Sequence, residues 1–130
     1  MAVTHTTAAQ NAATDAVTAM IGASGNLAFR LTGTVGSPGT VVCTLALSAT
    51  AFGASSSGTA TANAITTNTN ATPGSASPVA TATLQTSGGT VVIHCAVAAS
   101  GSDINMTNGL VIASGDTVSC SSLTYKALLA

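Results

Sequence analysis

The chain has 130 residues and only five charged side chains, Asp15, Arg30, Asp103, Asp116 and Lys126, for a net charge of −1. Ala, Thr, Ser and Gly fill 77 of the 130 positions, and Glu and Trp are absent. Two basic groups cannot neutralise a phosphate track, no run of about 18 apolar residues offers a membrane span, and proton-moving or metal-holding groups are scarce. Nucleic-acid binding, membrane insertion, enzymatic activity and cofactor chemistry are therefore not expected.

In chain order, a short N-terminal arm (1–5) precedes a helix over 6–22. Ala is the best helix former, Thr6 or Thr7 can cap the start, and Gly22 can end it. Ala9, Ala13, Val17, Met20 and Ile21 share one stripe, expected to face the body, with Asp15 on the solvent side. The arm has no Lys or Arg ahead of an apolar stretch, so no signal peptide is read there.

After Gly25 the apolar period changes from 3.6 to 2. Leu27, Phe29 and Leu31 alternate inward, with Arg30 expected to face out. Gly36–Gly39 reads as a turn. In 40–48, Val41, Cys43, Leu45 and Leu47 share one face. Residues 59–66 alternate weakly around Ile65. Residues 67–78, with two prolines and repeated Asn, Thr and Ser, read as an exposed loop or clasp. The clearest hairpin is 79–98, turning at Gly88-Gly89, with Val91, Ile93, Cys95 and Val97 inward and His94 outward. Turns at 100–103 and 114–116 place Asp103 and Asp116. Short strands around 104–106 and 110–112 and a last strand over 117–125, bulged near Ser121-Ser122, complete the pattern. The expectation is one mainly β domain: an antiparallel β-sandwich or jelly roll of about seven to eight short strands over 26–126, an N-terminal helix, and an apolar tail over 127–130.

No motif carries chemistry. Cys43, Cys95 and Cys120 share strand phases with large apolar neighbours, as reduced core thiols do. There is no CxxC for zinc, no GxSxG and no phosphate loop. His5 and His94 are the only histidines; His94 alternates outward, as a surface or interface residue does more often than a base, and Asp103 and Asp116 sit where turns favour them. No catalytic, cofactor-binding or metal-binding residue is assigned.

Several segments resemble a family of small virion structural proteins of tailed bacteriophages, of the decoration or cement kind. They are the helical start (Ala8 to Gly25), LALSATAFG (45–53), ATANAIT (60–66), GSDIN (101–105), GDTVS (115–119) and SLTY (122–125). The resemblance implies a structural component of the particle, assembled in the bacterial cytoplasm. Such a protein stabilises the head by binding between major capsid subunits, in many copies and as trimers. A tail, collar or fibre component is the nearest alternative. A host-surface or carbohydrate-binding module is the other, and the lack of Trp argues against it. The nearly uncharged Thr/Ser/Ala surface suits permanent contact with other copies and with virion proteins, because no ion has to be stripped of water.

Overall fold

The structure, a computed structural model, describes residues 3–128. Helix α1 (Thr7–Ala19) starts where the Thr6 hydroxyl accepts the amide of Ala9 at 3.2 Å. It stops just before Gly22, which adopts a φ of 70°. The buried face is not the expected one. Thr14 and Thr18 are buried, whereas Met20 is 65% exposed and Ala9 faces solvent. Ile21 alone of the predicted stripe is fully buried. The reason is chemical: methyl groups of Ala offer little apolar area, while the Asn11–Thr14–Asp15–Thr18 face can satisfy backbone groups of a neighbouring loop.

The strands are β1 (Asn26–Arg30), β2 (Gly33–Thr34), β3 (Ser37–Pro38), β4 (Val41–Ala46), β5 (Thr59–Thr61), β6 (Thr81–Gln85), β7 (Val91–Ala98), β8 (Ile104–Asn105) and β9 (Thr124–Lys126). Five of them form one sheet in the order β4-β1-β6-β7-β8. The pairs β2–β3 and β5–β9 form two small antiparallel ribbons. The fold is mainly β and sandwich-like. Its large sheet is mixed, because β8 runs parallel to β7 through Val97 and Ala98.

Period-2 alternation dictates the two faces of this sheet. Leu27, Phe29, Cys43, Leu45, Ala82, Leu84 and Cys95 are all buried and point into the core. They pack with Ile21, Leu47, Phe52, Val79 and Ile112, supplied by the helix end and by long irregular segments. Leu27, Leu45 and Leu84 are nearly inaccessible, and each such side chain stabilises the fold by roughly 2–3 kcal/mol.

Local departures have local causes. A bulge opposite Phe29 and Arg30 makes Val42 rather than Val41 the buried residue. The 86–90 connection is a three-residue turn, with Thr86 N–H donating to Thr90 O and Gly89 at φ 90°, rather than a two-residue Gly88-Gly89 turn. The predicted 36–39 turn is shifted to Val35-Gly36, between β2 and β3. The 117–125 segment is a strand only at its end. Before that it makes a single bridge, Asn68 to Val118.

Segment 67–78 is corrected from exposed loop to edge cover. Gly74 N–H donates to Val42 O, Asn68 Nδ2 to Thr44 O, and Ser75 N–H to Ile112 O, all at 2.8–3.0 Å. Ala71 is fully buried. Pro and Asn in this stretch mark an irregular backbone, but its polar groups are tied down. Of the terminal segments, Val3 to Thr6 are exposed, while residues 1–2 and 129–130 lie outside the described residues.

Candidate functional site

Three places gather polar or ionisable groups. The first is the dock of α1. Thr14 Oγ1 donates to Gly58 O at 2.6 Å and accepts the amide of Ala127 at 3.1 Å. Asn11 Oδ1 accepts from Gly58 N–H, and Asp15 Oδ1 accepts from Ser55 N–H at 2.9 Å. Asp15 is thus half-buried and structural, which corrects its expected solvent position.

The second is the outer face of the large sheet. Arg30 lies on the predicted face but is only 8% exposed. Its Nε donates to Thr83 Oγ1 at 3.0 Å, Nη2 to Gln85 Oε1 at 2.9 Å, and Nη1 to Gly39 O. Thr83 Oγ1 also donates to Gln85 Oε1. Gln85 pairs with Asn26, four residues back along β1, so the guanidinium lies across the row of Ala28 and Thr83, and Ala28 is fully buried. The charge is stabilised by oxygen dipoles rather than by a carboxylate. His94 stands opposite Thr83 on the same face, with Nδ1 buried and without a hydrogen-bond partner.

The third is a cleft of about 500 Å³ on the core side, floored by Leu27 and Phe29. One wall is formed by 103–109, the other by 111–112 and 116–123. Asp103 and Asp116 both line it, but each carboxylate is already engaged. Asp103 Oδ2 accepts from Ala96 N–H and Asp116 Oδ2 from Ala113 N–H, both at 2.9 Å. These are turn-closing contacts of the kind the sequence suggests for Asp116. For Asp103 the contact reaches β7, which spacing along the chain does not reveal. Phe29 is 4% exposed, so the floor offers no ring on which a sugar could stack.

The cysteines are free thiols, Cys43 and Cys95 buried and Cys120 half-buried. Burial pushes the Cys95 thiol up to about 11, and the nearby Asp103 carboxylate adds to the shift. Burial also raises Cys43 and Cys120, against smaller opposing hydrogen bonds from Asn68 and from the Ser122 backbone. All three are therefore held protonated near neutrality and are poor nucleophiles. No group of three or more His, Cys, Asp or Glu residues able to hold a metal occurs among the described residues. No helix among them is long and apolar enough to cross a membrane.

Comparison with protein-family models, with curated proteins and with solved structures finds no match to the chain.

Proposed function

We propose that this chain is a structural protein of a tailed-bacteriophage virion, and specifically a decoration or cement protein of the head. Its role is passive: it binds between major capsid subunits and adds contacts across their junctions, with other copies of itself arranged as trimers. It carries out no catalysis and needs no cofactor. The observation that best supports this reading is where the charges go. Arg30 is buried and Asp15 half-buried, and both hydrogen-bond within the chain; Asp103 and Asp116 each close a backbone hydrogen bond, so the exposed charges are those two carboxylates and Lys126. What is left for the surface is mainly Thr, Ser, Ala and Gly, which can be covered by another protein at little desolvation cost. Individually weak contacts of this type become strong when many are made at once.

The reading is tested by adding the purified chain to phage heads that lack it. Saturable binding at a fixed number of copies per head, with a higher temperature of head disruption, is the expected result. Binding to tails or collars alone would move the protein to that part of the particle. Binding to neither, with micromolar binding on a glycan array, would replace the reading by a carbohydrate-binding one.

A further inference from the structure

Asparagine side chains are tied down along most of the chain. Asn11 Oδ1 accepts from Gly58 N–H, Asn63 Nδ2 donates to Thr50 O, and Asn68 Nδ2 donates to Thr44 O. Asn105 bonds to both the amide and the carbonyl of Ser102. Asn26 lies within β1, between two paired strands. The amide that follows Asn70, that of Ala71, donates to Asp116 O. Asn108 is different. It is exposed on the turn between β8 and Val111, on one wall of the cleft. The backbone is pinned on either side of it, where Met106 N–H donates to Ala98 O and Leu110 O accepts from Val79 N–H. Between those pins, among the described residues, no hydrogen bond holds the Asn108 side chain or the Gly109 amide.

Gly109 supplies the other half of a reaction. It follows Asn108 directly, has a φ of 108°, and has open space where a Cβ would stand. Every other asparagine is followed by a residue with a side chain, which shields the next amide nitrogen. A nucleophile and an electrophile held in neighbouring residues react with a large advantage over separate molecules, provided the backbone is free to bring them together. We infer that Asn108-Gly109 is a site of spontaneous covalent modification, in which the backbone nitrogen of Gly109 attacks the side-chain carbonyl carbon of Asn108. The Gly109 N–H proton passes to hydroxide or water, the Cγ–Nδ2 bond breaks, and ammonia leaves. The cyclic imide so formed takes up one water at either of its carbonyls. Opening at one gives aspartate; opening at the other gives isoaspartate, whose backbone runs through the former side chain. No electron is transferred, and water is the only co-reactant. Either product puts a third carboxylate on the wall of a cleft that Asp103 and Asp116 already line and that holds no cationic side chain. The net charge of −1 becomes one unit more negative. The site does not depend on the proposed virion role, but a protein that lasts as long as a particle accumulates the product.

Peptide mapping by mass spectrometry of the full chain, kept folded in mildly alkaline buffer, reads the reaction directly. The expected result is a gain of one mass unit at Asn108, in two chromatographic forms, at a rate about tenfold or more above that of any other asparagine. The rate should rise with pH, because the attacking nitrogen must lose its proton. Ion exchange of the intact chain should show a growing acidic species that elutes with Asn108→Asp. Asn108→Gln, whose longer side chain closes a larger ring far more slowly, should keep the starting position and the circular dichroism of the parent. The urea-unfolded chain sets the reference, and the folded chain should convert Asn108 within about tenfold of its rate. A folded chain that keeps Asn108 intact while the unfolded chain loses it, faster conversion at another asparagine, or an Asn108→Gln chain that acidifies as fast as the parent would overturn the assignment. Binding or indifference to phage heads bears on the virion reading alone.

Discussion

The β4 and β7 strands border the same sheet, and each presents a row of unpaired backbone groups that the chain must satisfy or leave open. At β4 the chain satisfies them itself. Thr66, Asn68 and Gly74 donate in turn to Ala46 O, Thr44 O and Val42 O, so an irregular segment does the work of a sixth strand. At β7 only the far end is closed, by two residues of β8 and one carboxylate. The difference teaches that edge protection need not look like a strand in the sequence. A Pro- and Asn-rich stretch can provide it, while a smooth run of Val and Ile can be the part that is exposed.

The sharpest way to break this contrast is at Gly74. It sits at φ 68°, and a Cβ there would collide with the backbone of Ala113 and Ser114. Gly74→Ala should lift the cover from β4 and cost about 3 kcal/mol in urea unfolding, since both strain and a clash are introduced. Between the two borders, Arg30 ties β1 to β6. Arg30→Leu leaves Thr83 Oγ1 and Gly39 O without their donor and Gln85 Oε1 with the Thr83 hydroxyl alone, and should cost roughly 2–3 kcal/mol by the same measurement.

The two border strands also share a pH response, through Cys43 and Cys95. A thiol that ionises near 9 in the unfolded chain but near 11 in the folded one keeps its proton on folding while the unfolded state loses it. Stability is thus fully present below pH 9 and falls as pH rises from 9 to 11, by roughly 2 kcal/mol for Cys95. Melting temperatures across that range check it, and Cys95→Ala should flatten the slope although it lowers stability at neutral pH. Asn68→Ala, which removes one contact to the β4 border, should cost about 1 kcal/mol. Val92 is half-buried against the core, so Val92→Lys should cost about 1 kcal/mol of monomer stability through lost apolar packing. A loss as large as that of Gly74→Ala would mean that the β7 border is protected within the monomer, and the contrast would fail.

The alternation of Leu27, Phe29, Leu45, Leu84 and Cys95 is legible in the sequence because one face of a strand repeats every second residue. The Thr6 cap and the Gly22 stop are legible for the same local reason. What is not legible depends on distant partners. The polar face of α1 is buried because Gly58, Ser55 and Ala127 need its groups, and those lie about 40 to 113 positions away. Arg30 reads as an outward residue because its acceptors, Thr83 and Gln85, are on another strand. One signal was present: two polar residues, Thr83 and Gln85, flank Leu84 in the phase that an arginine on the adjoining strand can reach. The cleft has no sequence signal, since its walls come from two irregular stretches.

The double role of Thr14 has a consequence for how the chain is made. Its hydroxyl donates to residue 58 and accepts from residue 127, so α1 cannot finish docking until segments 44 and 113 positions further along the chain have been made. Contacts closing such long loops form slowly. During synthesis the polar face of α1 stays hydrated and harmless to neighbouring chains, which an apolar face waiting as long would not be.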